Sequence, residues 1–171
     1  MIVVAIIGIL AAIAIPNFLR FQLRAKASEG KANLAAIRTA EEGYFSEFGV
    51  YVGASANPTS IPGNQKSSWG LAPTASHGFN TVGWAPEGNV YYQYAVAVSS
   101  AADTYAADAL SNLDNDATNN NWGYIKSVGS VPPIGGALGC PNTGVYNPVS
   151  MANDLFNTVG PCDGQSGQSV F

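Results

Sequence analysis

Residues 1–19, MIVVAIIGILAAIAIPNFL, decide the fold of this chain. The stretch has no charged side chain before Arg20, and Asn17 is its only strongly polar residue. As an α-helix it would be about 28 Å long at ~1.5 Å per residue, close to the ~30 Å hydrocarbon thickness of a bilayer. Gly8 and Pro16 are unfavourable in a helix surrounded by water, but bilayers and tightly packed helix bundles tolerate them. We therefore predict a membrane-spanning helix.

The charges that flank this helix conflict with the rest of the sequence. No basic residue precedes the apolar run, and five follow it: Arg20, Arg24, Lys26, Lys31 and Arg38. The positive-inside rule would keep that flank, and the chain after it, in the cytoplasm. The C-terminal half nevertheless has two cysteines and few charges, which is typical of an exported domain. We expect a short basic leader upstream of Met1, removed after it has set the topology.

Beyond Pro16 an apolar stripe with helical spacing continues. Its members alternate in steps of four and three residues, and only Glu41 is polar: Leu23, Ala27, Gly30, Leu34, Ile37, Glu41, Tyr44 and Phe48. This spacing predicts a helix face that packs on a globular domain. Gly49 is the predicted terminator. The pattern fits a helix that packs on a single hydrophobic core, and it also fits a helix that packs against several neighbouring helices.

The sequence after the helix divides into three parts. Residues 49–88 are interrupted by proline and glycine and contain four aromatic residues, which predicts an ordered connecting loop. From residue 89 the pattern alternates with a period of two through Val98, and Thr104–Leu110 and Trp122–Ile125 follow as further strands. Residues 129–171 form a loop region rich in proline and glycine. The predicted fold is α+β, with a small antiparallel sheet across the C-terminal half of the helix.

The predicted domain boundary lies within the helix. Residues 1–26 form an apolar transmembrane segment, and residues 27–171 form a globular head. The head is divided into an amphipathic half-helix at 27–48, the loop at 49–88, the sheet at 89–128 and the loop region at 129–171. Cys140 and Cys162 are the only cysteines, and in an exported chain two cysteines most simply form one disulfide.

We predict no catalytic, cofactor or metal site. His77 is the only histidine, has no partner at ligand spacing and is interpreted as a surface residue. Asp114 and Asp116 suggest a calcium turn, but Ala117 replaces the turn glycine of an EF-hand and Ile125 replaces its last ligand. An Asx-rich turn over residues 114–121 explains the same residues without an ion. No glycine-rich phosphate loop or serine nucleophile motif is present.

Charge is divided unequally along the chain. The net charge is −4, but residues 1–38 carry +4 and residues 39–171 carry −8. This asymmetry allows the basic helix of one copy to meet acidic surface on another, or to lie near anionic headgroups. Basic and aromatic residues are not interleaved on a strand, so no specific nucleic-acid partner is predicted.

The first 51 residues resemble the N-terminal helix of type IVa pilins, and the match is nearly residue for residue through Phe18. The resemblance implies the ladle-shaped pilin fold, in which a long helix packs on an antiparallel sheet, and a disulfide that closes a C-terminal surface loop. Mature chains of this family begin with a phenylalanine six residues upstream of the position of Met1. They also carry a glutamate two residues upstream of that position. The methylated N-terminal amine of these pilins, and the glutamate that pairs with it during assembly, therefore correspond to no residue of this sequence. We expect the native subunit to start upstream.

The resemblance implies a structural subunit of a type IV pilus, which serves adhesion, twitching motility or DNA uptake. Before assembly the subunit would reside in the inner membrane with its head in the periplasm. A cytoplasmic ATPase and a platform protein would then assemble it into an extracellular homopolymer. The residues predicted to pack in the filament core are Ile2, Val3, Ile6, Ile7, Gly8, Ile9, Leu10, Ile13, Ile15, Pro16 and Phe18. We expect the segment bracketed by Gly8 and Pro16 to lose regular helix on packing.

Three alternatives remain open. A type II secretion pseudopilin shares the apolar rod, but its Tyr-Pro-rich segment and Asp-Pro-Trp-Gly motif are not found in the sequence. A monomeric, membrane-anchored periplasmic binding domain would also need one anchor. An electron-carrying filament is suggested only by the 18 aromatic residues, most of which should pack cores and rims.

Overall fold

A helix much longer than the rest of the molecule dominates the computed structural model, which describes residues 1–70, 77–116, 118–129, 131 and 133–166. Helix α1 spans Ile2–Phe48 without interruption and contains Pro16. Its 47 residues are about 70 Å long at ~1.5 Å per residue. The helix ends as the sequence predicts, because Gly49 takes the left-handed conformation (φ 73°) and its N–H donates to the Phe45 carbonyl at 2.8 Å.

An antiparallel sheet crosses the C-terminal half of α1. In chain order the elements after α1 are β1 (Ala54–Asn57), α2 (His77–Thr81), β2 (Gln93–Val98), β3 (Tyr105–Ser111), β4 (Asn120–Ile125), β5 (Val145–Asn147), β6 (Ala152–Leu155) and β7 (Val159–Pro161). Among the described residues, the main sheet has the strand order β1-β2-β3-β4-β7, and β5 and β6 form a separate hairpin. The α+β fold with a helix packed on a small antiparallel sheet is thus confirmed.

The alternation of side chains along the strands separates two cores. On the face toward α1, Ala107 pairs with Val96 and Tyr124, and Ala109 pairs with Tyr94 and Trp122. These residues are buried together with Leu34 and Ile37 of α1. The alanines of the middle strand, β3, leave room for α1. The aromatic residues of β2 and β4 fill the space on either side of these alanines. On the opposite face Ala106 and Ile125 pack with Val145 and the two cysteines.

The helix stripe is buried over its middle part only. Ala27, Gly30, Leu34, Ile37 and Glu41 are buried, whereas Phe48 at the end of the stripe is exposed. Gly30 is the position of closest approach: a Cβ there would lie 3.0 Å from the Tyr92 ring. A larger side chain at residue 30 would push the helix away from the sheet.

Two predicted loop regions contain regular structure. The connection at 49–88 includes β1, which forms an edge of the main sheet, and the short helix α2. Phe79 of α2 packs against Trp84 with the ring centroids 5.3 Å apart and the ring planes tilted by 55°. The region at 129–171 contributes the β5–β6 hairpin and the opposite edge strand, β7. These strands were missed because each is only three or four residues long, too short for a periodic pattern.

Strand boundaries also differ from the sequence expectations. β2 begins at Gln93 rather than at residue 89, and Val90 forms only an isolated bridge with Ser67. The predicted Asx-rich turn ends early, because Asn120 and Asn121 begin β4. The Asn120 Oδ1 accepts hydrogen bonds from the Tyr92 hydroxyl and from Trp122 Nε1, each at 2.6 Å. A buried asparagine with such partners suits a strand as well as a turn.

Candidate assembly surface

The N-terminal half of α1 projects away from the head as an apolar rod, which we define as residues 1–19. Apart from Ala11, its residues are all exposed. The large exposed side chains in the rod are Met1, Ile2, Val3, Val4, Ile6, Ile7, Ile9, Leu10, Ile13, Ile15, Phe18 and Leu19. Among the described residues, α1 is the one helix long and apolar enough to cross a membrane, and none of that span is buried in the chain.

Every residue predicted for filament-core packing lies on this exposed rod. Ile9 is typical, with 65% of its surface accessible. A Cβ added at Gly8 would meet no atom within 4 Å. The Pro16 ring leaves the carbonyl of Ala12 without its usual helical donor, because proline has no N–H. An apolar surface of this extent is not stable in water and requires lipid or other apolar chains around it.

A disulfide covers the face of the sheet that lies opposite α1. Cys140 and Cys162 are bonded, as the sequence predicts, and both are buried. Gly123 in the middle of β4 makes this arrangement possible, because a Cβ there would overlap the Cys140 sulfur. The disulfide therefore fastens the loop region directly onto the central strands.

Two buried carboxyl groups occupy the two cores. Glu41 of α1 is fully buried. Its Oε2 accepts a hydrogen bond from the Val52 N–H at 3.0 Å, while Oε1 has no partner among the described residues. Burial raises the pKa of the Glu41 carboxyl to about 7, opposed by the Val52 hydrogen bond. Asp108 of β3 is fully buried under the disulfide loop, and burial raises its pKa to about 7 as well.

These carboxyl groups should make the stability of the head depend on pH. Each group keeps its proton to a higher pH in the folded chain than in the unfolded chain, so the free energy of unfolding should fall as the pH rises from about 4.5 to 7. We expect Glu41→Gln to remove roughly 3 kcal/mol of this fall. Urea unfolding of the full chain in detergent at pH 5 and pH 8 measures it.

The matched control is Glu87→Gln, which changes an exposed carboxyl group and should leave the pH profile unaltered. A profile for Glu41→Gln that coincides with that of the wild-type chain would show that Glu41 is ionised in the folded head throughout this range.

The basic residues of α1 fall into two groups. Three of them contact the head: the Lys26 ammonium donates to the Asn64 carbonyl at 2.9 Å, the Lys31 ammonium lies 3.9 Å from the Trp122 ring centroid, and the Arg38 guanidinium lies 5.1 Å from that of Tyr124. Arg20 and Arg24 lie before the first buried residue of the helix, Ala27, and are exposed. The second group is thus presented outside the head.

The residues considered for metal binding or catalysis do not form a cluster in the described part of the chain. Asp116 accepts the Thr118 N–H at 2.5 Å, the short-range contact of an Asx turn. No group of three or more His, Cys, Asp or Glu residues suited to a metal ion occurs among the described residues. The His77 side chain and Ala117 lie outside the described residues, so the interpretation of each stays a prediction.

Together these features define an α+β protein with a disulfide-closed head and a helix whose free half is apolar on all sides. The type IV major pilin protein PilA of Myxococcus xanthus (strain DK1622) is 43% identical to this chain over 100 residues, which is 58% of this chain and 34% of that relative. No family profile matches the sequence, and no solved structure matches it. The chain is thus similar to a type IV major pilin over 100 of its residues, and it has the long helix, the antiparallel sheet and the disulfide that the resemblance to pilins implies.

The chain covers only about a third of the length of PilA. Sequence reasoning found the rod, the stripe and the disulfide, but it missed the buried Asp108. An aspartate inside an otherwise apolar strand was the available signal, and the loop that supplies its backbone donors, Leu138 and Cys140, is distant in sequence.

Proposed function

We propose that this chain is the structural subunit of a type IV pilus and polymerises through its apolar rod. The observation that carries the proposal is the rod itself, because it is long, apolar on every side and unburied in the single chain. Burial of one Leu or Ile side chain is worth about 1.5 to 3 kcal/mol. Rods from neighbouring copies can therefore replace lipid as the solvent for one another.

Before assembly the rod would span the inner membrane with the head in the periplasm. Assembly by a cytoplasmic ATPase and a platform protein would transfer the subunit into an extracellular filament. One heterologous contact, repeated without closure, generates a helical filament. The segment between Gly8 and Pro16 is regular helix in the single chain, and we propose that it unwinds when the rods pack, since Pro16 already lacks one helical hydrogen bond.

The filament would serve adhesion, twitching motility or DNA uptake. Its role is structural, and no residue is proposed to act in catalysis. The alternative of a monomeric anchored domain is less favoured, because the anchor of such a domain need not match the pilin helix so closely.

Electron microscopy and mass analysis of filaments sheared from the source cells test this proposal. We expect thin filaments whose subunit contains residues 1–171 and, by the resemblance to pilins, begins upstream with a methylated phenylalanine. Deletion of the gene should remove the filaments. Recovery of the chain only as a monomer in the membrane fraction would contradict the proposal.

A further inference from the structure

Arg20 and Arg24 are the two basic side chains of α1 for which the described residues of the head provide no partner. The ion pairs among the described residues are Lys66–Glu29 and Lys126–Glu42, and neither involves these arginines. Two acidic residues of α1 are thus already paired, and the buried Glu41 accepts a backbone hydrogen bond. The positive charge of the two arginines is therefore available to a partner outside the chain.

Their spacing and position specify where that partner lies. Residues four apart on a helix share one face, so both guanidinium groups point to the same side of α1. Arg20 follows directly after the rod, at about 28 Å along the helix from its start, and Arg24 lies about 6 Å further. Because the rod matches the ~30 Å hydrocarbon core, both groups reach the level of the phosphates on the head side of a bilayer.

The neighbouring side chains are those of a membrane interface. Phe18 and Phe21 are exposed, at 61% and 65%; Phe18 lies two residues before Arg20, and Phe21 directly follows it. Phenylalanine rings at the end of an apolar span belong at the hydrocarbon boundary, and arginine side chains beside them reach out to the headgroups. The cations further along the helix, Lys31 and Arg38, are held against aromatic rings of the head instead.

We propose that Arg20 and Arg24 bind the phosphate groups of anionic phospholipids in the leaflet beneath the head while the subunit resides in the membrane. This inference rests on the membrane stage of the proposed function. A guanidinium group donates two parallel N–H bonds to phosphate oxygens, and anionic lipid supplies the compensating charge. The site holds the rod at a fixed depth and neutralises basic residues on the side of the membrane where the positive-inside rule disfavours them.

Lipid is favoured over a second copy of the chain as the partner, because lipid already surrounds the rod while the chain resides in the membrane. The hydrocarbon that covers the rod places headgroups next to both arginines at no further ordering cost. A second copy would have to bring one of its exposed carboxylates, such as Glu87, to the same level, and that is an ordering step which the surrounding lipid does not need.

The test uses the full chain reconstituted in phosphatidylcholine vesicles that contain a minority of phosphatidylglycerol. Electron paramagnetic resonance with each lipid spin-labelled in turn measures which lipid is immobilised by the protein. We expect phosphatidylglycerol to be preferred at low salt by up to about fivefold for each arginine, because one basic residue near anionic lipid contributes ~1 kcal/mol. Arg20→Gln combined with Arg24→Gln should bring the ratio close to one.

The matched control removes the same charge from the same helix, by Lys31→Gln combined with Arg38→Gln. These residues lie about 16 and 27 Å beyond Arg20, further than the ~8–10 Å screening length, so the lipid preference should persist. Equal immobilisation of the two lipids by the wild-type chain, or loss of the preference in the control as well, would overturn the inference.

Failure of the membrane stage gives a different result. Flotation with pure phosphatidylcholine vesicles measures insertion of the rod alone. A chain that does not float would overturn the proposed membrane stage and this inference with it. A chain that floats but binds both lipids equally would overturn only the role of the two arginines.

Discussion

Ile9→Asp is expected to abolish filaments while the head stays folded. Ile9 lies in the middle of the rod, far from any cation, since the first basic residue is Arg20. A carboxylate buried among packed rods would have no partner, and such burial is costly. In the membrane, an aspartate at the centre of a helix costs about 2.5–3.5 kcal/mol. Filament yield from cells expressing the variant, scored by electron microscopy, measures the effect.

The position of the new charge is tested by Val149→Asp. Val149 lies between β5 and β6 in the head and is 91% exposed, so the aspartate there stays hydrated and filaments should form normally. The amount of each variant in the membrane fraction distinguishes failed assembly from failed insertion. Normal filaments from the Ile9 variant would refute the assignment of the rod to the filament core.

Loss of the disulfide is expected to lower the stability of the head by roughly 3 kcal/mol, from the entropy of closing a loop of this length. For a chain of this size that corresponds to a decrease in melting temperature of about 10 °C. Cys140→Ala combined with Cys162→Ala keeps the buried positions apolar, which suits their contacts with Ala106, Ile125 and Val145. Thermal unfolding of the full chain in detergent, followed by circular dichroism, measures the change.

Reduction of the wild-type chain provides the comparison without any mutation. The melting temperature with reductant should decrease toward that of the double-alanine variant, and reductant should not affect the variant itself. Equal melting temperatures for the oxidised and reduced wild-type chain would mean that packing alone holds the loop region on the sheet.

The helix and its termination could be predicted because they depend on local properties. A continuous apolar run, a stripe with helical spacing and a glycine in the left-handed conformation at Gly49 each act over a few residues. The central strands β2 and β3 could be predicted for the same reason, since alternation is visible through Val98 and a short polar connection leads into the predicted strand Thr104–Leu110. The burial of Glu41 was partly visible, because it interrupts an otherwise apolar stripe.

The remaining features depend on contacts that are distant in sequence. β1 and β7 are edges of the sheet only because β2 and β4 offer them free backbone groups. Gly123 is required because the disulfide passes over it, and Asp108 is buried because the loop at Leu138 and Cys140 covers it. A periodic sequence pattern does not predict contacts between residues that are distant in sequence. The two groups of basic residues on α1 likewise become distinct only when the positions of Trp122 and Tyr124 are known.

We propose that the apolar rods of many copies pack against one another inside a filament. Helical reconstruction of sheared filaments by cryo-electron microscopy shows where each rod lies. We predict density in which residues 2–18 lie at the axis, each rod in contact with rods of other copies, and in which the heads form the outer surface. Filaments held together by head contacts alone, with rods outside the core, would contradict the account.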